Sequence, residues 1–284
     1  MTARQKENRR RTLLRSAVQL FFFLLMPGAF TAGFAGVKYI FTQVGSGSVI
    51  EMNGFLKVLL MLLLFTVFFG RFFCGYLCAF GSLGDALYAL FGFIRKKLFK
   101  KKKPSAFPPK LMRILQKLKY VNLAVIALFC VLGLFGKLAG WSVWDVWDVF
   151  SRLTALKGVD ARYLPGAILL AVLVLCMMWQ SRFFCQVLCP MGALFALLPV
   201  LPYGALKRDA AHCIPKCNAC ERQCPVSLKL SEDGRRNGEC IGCEKCAGIC
   251  PKQNISGMIP NPYLSVLIRS AVFFAAGCGL GLLR

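Results

Sequence analysis

Apolar positions in this chain come in long unbroken runs, separated by short stretches that are either strongly basic or rich in Gly and Ser. Neither the alternation of a half-buried strand nor the single stripe of a surface helix fits such runs; helices apolar all round do. The first run extends from Ala17 to about Ile40, behind a head carrying Arg4, Lys6, Arg9, Arg10, Arg11 and Arg15. It is too long for a signal-peptide core and has no A-x-A site, so it predicts an uncleaved helix with a cytoplasmic N-terminus. Pro27-Gly28 predicts a kink in it. Further runs at Phe55–Phe73, Tyr120–Gly136, Pro165–Trp179 and Tyr263–Leu283 bring the expectation to about five transmembrane helices. In the last run, Arg269 is expected to snorkel to the cytoplasmic interface.

The loops set the orientation. Thr42–Asn53 carries Glu51 and neither Lys nor Arg, and so belongs outside. Arg95, Lys96, Lys97 and Lys100 to Lys103, before Pro104, place the next connection in the cytoplasm. The outer loop Lys137–Leu164 holds Trp141, Trp144 and Trp147 with Asp145 and Asp148, an interfacial belt or a docking surface for an outer partner. Whether the apolar stretches Ala79–Ile94 and Met191–Leu201 lie on the membrane or re-enter it is left open by their pattern.

Composition agrees with a multi-pass protein of a prokaryotic cytoplasmic membrane. Of 284 residues, 57% are apolar, and the mean hydropathy of +0.60 excludes an ordinary soluble domain. The net charge of +24, from 36 Lys and Arg against 12 Asp and Glu, reads as positive-inside loops facing anionic lipid, with no nucleic-acid partner. The single histidine, His212, excludes a bis-histidine haem and reads as a solvated loop residue or an alternative ligand.

Fifteen cysteines carry the candidate chemistry. Cys213, Cys217, Cys220 and Cys224-Pro225 are followed, fifteen residues on, by Cys240, Cys243, Cys246 and Cys250-Pro251. The second group has the spacing C-x2-C-x2-C-x3-C-P of two-cluster bacterial ferredoxins; the first has one extra residue between its first two cysteines. Three thiolates on one tight loop hold three irons of a cubane, and a fourth from the other run closes it. One [4Fe–4S] cluster is therefore expected on Cys213, Cys217, Cys220 and Cys250, the other on Cys224, Cys240, Cys243 and Cys246. Zinc favours two C-x2-C pairs per ion, and a disulfide framework suits a small secreted domain, so both fit less well.

A second constellation comes from an internal repeat. Arg71 to Leu83 and Arg182 to Leu194 align without a gap, 111 residues apart, and agree at eight of thirteen positions. Each copy carries a cysteine pair at i and i+4, Cys74/Cys78 and Cys185/Cys189, which on a helix share a face. In a parallel repeat the four thiolates could supply a third metal or iron–sulfur centre, with Arg71 and Arg182 offsetting their charge. Iron–sulfur, copper or a redox dithiol all satisfy that spacing. Plain packing is the bland alternative, and is the reading given to Cys130, Cys176 and Cys278.

On these motifs the chain resembles the polyferredoxin-type membrane proteins typified by the NapH- and NosR-like components. The resemblance implies electron transfer between a cytoplasmic or quinol donor and an acceptor beyond the membrane, an extracytoplasmic flavoprotein or reductase. Two departures stand out: Ala79 replaces the proline after the first pair, and the flavin-binding domain of NosR-like members has no counterpart. The bilayer core is about 30 Å thick, so a quinone or a further membrane cofactor is required as well.

The expected fold is a membrane α-helical bundle with two parallel helix–helix–CxxxC repeats and a cytoplasmic 2[4Fe–4S] ferredoxin-like α+β domain. Its divisions are 1–119 and 120–204 for the repeats, 205–262 for the cluster domain and 263–284 for the last helix. The expected function is that of an electron-transfer subunit without substrate chemistry of its own. A metal-handling factor for copper, or a redox-sensing regulator, would use the same cysteines.

Overall fold

The computed structural model describes residues 3–99, 107–134, 146–154, 158, 160–201, 206–209, 212–214, 217–228, 238–257, 259 and 261–283. The expectations placed on Lys100–Lys103, Lys137, Trp141, Trp144 and Asp145 lie outside them. Helices dominate, and the described residues contain one two-stranded antiparallel ladder.

Local chemistry sets the helix ends. The first apolar run is two helices, Ala3–Leu25 and Ala29–Ser46, because Pro27 lacks the amide needed to continue the ladder. Gly47, at φ 65°, closes the second in the left-handed region. Asn53 Oδ1 accepts the Leu56 amide at 2.8 Å at the start of Gly54–Phe69. Asn261 Oδ1 caps Pro262–Gly279 by accepting from the Tyr263 and Leu264 amides at 3.0 and 3.3 Å.

Three helical stretches are long and apolar enough to cross a membrane: Lys110–Val131, Ala161–Trp179 and Pro262–Gly279. The pair broken at Pro27 makes a fourth if counted as one span. The sequence predicts five, and the difference lies at Phe55–Phe73. There Gly70, at φ 66°, ends the helix at Phe69, and its 16 residues reach only about 24 Å at 1.5 Å each. Only 11% of the Lys110–Val131 window is buried within the chain. Leu164, Ile168, Val172 and Leu175 likewise form an exposed apolar stripe, which suits lipid and not water.

The chain divides into two compact units. One comprises residues 1–26, 61–82 and 194–284. Its apolar core gathers Phe22, Phe65 and Phe73 around Phe273, at ring-centroid distances of 5.8, 5.2 and 5.4 Å. The other comprises 27–60 and 83–193. Within it Ala29–Ser46 packs on Leu118–Val131, and Phe30 meets Phe184 edge-on at 6.3 Å.

Candidate metal centres

Within the first unit, strands Lys207–Arg208 and Ile255–Ser256 pair antiparallel, Arg208 opposite Ile255. Cys213 follows one strand by five residues and Cys250 precedes the other by five, so the ladder draws together two cysteines far apart in sequence. Cys213, Cys217, Cys220 and Cys250 line one open cavity of about 330 Å³. Asn254 ties its two sides. Its Nδ2 donates to Cys213 Sγ at 3.2 Å, and its Oδ1 accepts the Cys250 thiol at 2.7 Å. Arg208 donates to Cys213 Sγ through Nη2 at 2.9 Å and Nε at 3.3 Å. The bonds from Arg208 first, then Asn254, pull the Cys213 thiol below its ordinary range.

Cys224, Cys240, Cys243 and Cys246 lie within electrostatic range of one another. Burial pushes Cys224 up to about 12, and raises Cys240 and Cys246 as well. Thiols packed this closely ionise together only against strong positive charge, which is what irons supply. Among the described residues no three Cys, His, Asp or Glu side chains converge on a point the size of one metal ion.

The two cysteine pairs fall one in each unit. Each copy of the repeat forms a single helical turn after its arginine, Phe73–Leu77 and Phe183–Val187. The second cysteine of each donates its amide to the carbonyl five residues back: Cys78 to Phe73 at 2.9 Å, Cys189 to Phe184 at 3.0 Å. A new helix then begins, Ala79–Phe99 or Pro190–Leu197. Cys189 Sγ accepts the Gly192 amide at 3.1 Å, so the thiol caps that helix. All four cysteines are buried.

The arginines, expected to balance thiolates, also have carboxylate partners. Arg71 donates to Glu239 at 3.0 Å and to the Gly238 carbonyl at 3.2 Å. Arg182 grips Asp85 with two bonds, of 3.0 and 2.6 Å. Arg269 departs from expectation. Instead of reaching a headgroup layer it is buried in the first unit, 5.4 Å from the Phe72 ring, where an aromatic face supplies the negative potential. His212 is solvated, its Nδ1 2.6 Å from Asp209 Oδ2.

Sequence reasoning missed Asp85, Arg208, Asn254 and Glu239. Asp85 left a trace, as a lone acid inside the apolar stretch Ala79–Ile94. The other three resemble ordinary loop residues until the ladder and the helical turn bring them to their partners.

Comparison with known proteins bears on these sites. A family profile described as a 4Fe-4S binding domain matches twice, at residues 55–102 and 162–207. Each match contains one cysteine pair of the repeat. The uncharacterized protein MJ0749 of Methanocaldococcus jannaschii is 31% identical over 200 residues, covering 70% of this chain and 68% of that protein. The chain belongs to the family of MJ0749. A second relative from the same organism, the uncharacterized protein MJ0750, is 29% identical over 86% of this chain and 94% of its own length. Escherichia coli "Putative electron transport protein YccM" is 26% identical over 81% of this chain and 63% of its own. No solved structure matches. The chain is thus a mostly helical, membrane-type member of an iron–sulfur family.

Proposed function

We propose that this chain is a membrane-bound iron–sulfur electron carrier with no substrate chemistry of its own. The observation that carries this reading is the cavity shared by Cys213, Cys217, Cys220 and the distant Cys250. Together with the second set of four, it supports the crossed ligand arrangement of a two-cluster ferredoxin. Bound there, [4Fe–4S] clusters supply one-electron exchange. The protein's residues hold the thiolates, and Arg208 and Asn254 tune the first set. The name of the relative YccM supports electron transport, and the membrane-length helices support a bilayer setting.

In this proposal the pair Cys74 and Cys78, and likewise the pair Cys185 and Cys189, furnish thiolate ligands for further metal or iron–sulfur binding. Support comes from their duplication and from the 4Fe-4S description of the domain matched at each pair. The resemblance to NapH- and NosR-like components, with the basic loops, supports a cluster domain in the cytoplasm. Electrons then pass from a cytoplasmic or quinol donor to an acceptor at or beyond the membrane.

The test is iron, sulfide and copper content after anaerobic purification, wild type beside a Cys74→Ser/Cys185→Ser variant. The proposal expects the variant to lose iron and sulfide while both ferredoxin-type EPR signals persist. Copper lost from the variant at unchanged iron would replace the relay with metal handling.

A further inference from the structure

The second ferredoxin site and the first cysteine pair are packed against each other inside one unit, and the contact is made by a residue type the repeat does not share. Gly75 stands between Cys74 and Tyr76, and a Cβ built on it would run into the carbonyl oxygen of Ile241. The Cys243 amide would be 3.7 Å from the same point. No side chain fits there without moving the backbone of the loop that carries Cys240 and Cys243. The loop answers with a glycine of its own. Gly242 is left-handed at φ 61°, and its Cβ position faces Phe72 Cα at 3.8 Å.

Polar contacts reinforce the seam. The Tyr76 hydroxyl donates to the Cys243 carbonyl at 3.5 Å, and Tyr76 stacks on Phe72 at 4.4 Å. Arg71 holds Gly238 and Glu239, immediately before Cys240. The Gly75 carbonyl is held in turn by Arg15 at 3.3 Å and Gln19 at 3.2 Å. In the second copy of the repeat Gln186 replaces Gly75. That side chain is buried and bonds to the Ser181 carbonyl at 2.8 Å and to Gln116 at 2.9 Å. The two copies share a backbone turn but differ at the one position that admits a neighbouring backbone.

We propose that Gly75, assisted by Tyr76, is a positioning residue that seats the Cys240–Cys243 loop on the Cys74–Cys78 turn. The seam makes the second ferredoxin site the one that exchanges electrons with a metal held by the Cys74 and Cys78 thiolates. The inference rests on the electron-carrier reading and adds the order of its sites. One electron leaves one centre and enters the other, and no bond or proton moves. Transfer rates fall steeply with distance, so backbone contact at this seam selects the second site over the first.

The test uses the full chain, purified anaerobically, as wild type, Gly75→Ala, Tyr76→Phe and the control Gln186→Ala. Iron and sulfide content, the EPR relaxation of each reduced cluster, and amide hydrogen exchange over residues 238–246 are measured. Gly75→Ala is expected to keep its iron, to speed exchange at Ile241–Cys243 by about tenfold, and to lose the relaxation enhancement of the second cluster by its neighbour. The first cluster's signal should not move, and Gln186→Ala should match wild type. Should Gly75→Ala lose its iron, Tyr76→Phe decides, with the same changes expected at smaller size. Wild-type exchange and relaxation in an iron-replete Gly75→Ala protein would overturn the inference. Wild-type protein lacking both ferredoxin signals would instead overturn the reading beneath it.

Discussion

Arg208 donates two hydrogen bonds to the Sγ of Cys213, at 2.9 and 3.3 Å. A guanidinium so placed stabilises added negative charge, and therefore the reduced form of a cluster on Cys213. Arg208→Ala is expected to lower the potential of that cluster by about 60 mV, a tenfold change for a one-electron couple. The other cluster should move much less. Arg208→Lys should recover part of the shift, since it restores charge without the fork. Redox titration followed by EPR checks this.

Cys250 shares a cavity with Cys213, Cys217 and Cys220. If the ligand sets are crossed, Cys250→Ser removes iron from the cluster of the first run and leaves the second run's cluster intact. If each run kept its own four cysteines, the same change would instead damage the cluster of Cys240, Cys243 and Cys246. Mössbauer or EPR spectra of the variant, with iron counts, separate the two cases.

Removal of iron exposes the contrast in acidity between the two sets. Cys213 is held below its ordinary range by Arg208 and Asn254, so more of it is thiolate at pH 8. Burial pushes Cys224 up to about 12, which leaves roughly one thiolate in ten thousand molecules at that pH. Alkylation of chelated protein at pH 8 is therefore expected to label Cys213 early and Cys224, Cys240 and Cys246 late. Peptide mass spectrometry reads the order. Raising the pH should narrow the gap, because the buried thiols gain thiolate after Cys213 has saturated.

The Arg182–Asp85 pair, with side chains 0% and 14% exposed, forms within the second unit. Asp85→Ala removes the carboxylate from a buried guanidinium and is expected to destabilise the detergent-solubilised protein by ~3–5 kcal/mol. Arg182→Met combined with Asp85→Leu should lose far less. Thermal unfolding of the purified variants is the measurement.

Much of this was legible in the residues themselves. The eight ferredoxin-type cysteines declare themselves by spacing, because a cubane needs three thiolates on one short loop wherever that loop sits. The duplication at Arg71 and Arg182 is visible as text, and both copies form a short helical turn closed by the same amide-to-carbonyl step at Cys78 and Cys189. The end of Gly54–Phe69 was less legible. A run apolar to Phe73 hides a left-handed Gly70, and hydropathy carries no record of φ.

The sequence by itself determined which residues are apolar enough for a membrane, which cysteines come in ligand-spaced groups, and that one unit is repeated. Those properties are local, set by side-chain type and by separations of a few residues. Only the tertiary structure decided which carboxylate meets which buried arginine, that Arg208 and Asn254 attend Cys213, and that Gly75 admits the Ile241 backbone. Apart from Arg208 and Cys213, only five residues apart, each of those joins residues from distant parts of the chain. Their meeting depends on how helices and a two-residue ladder pack, and no spacing along the chain encodes it.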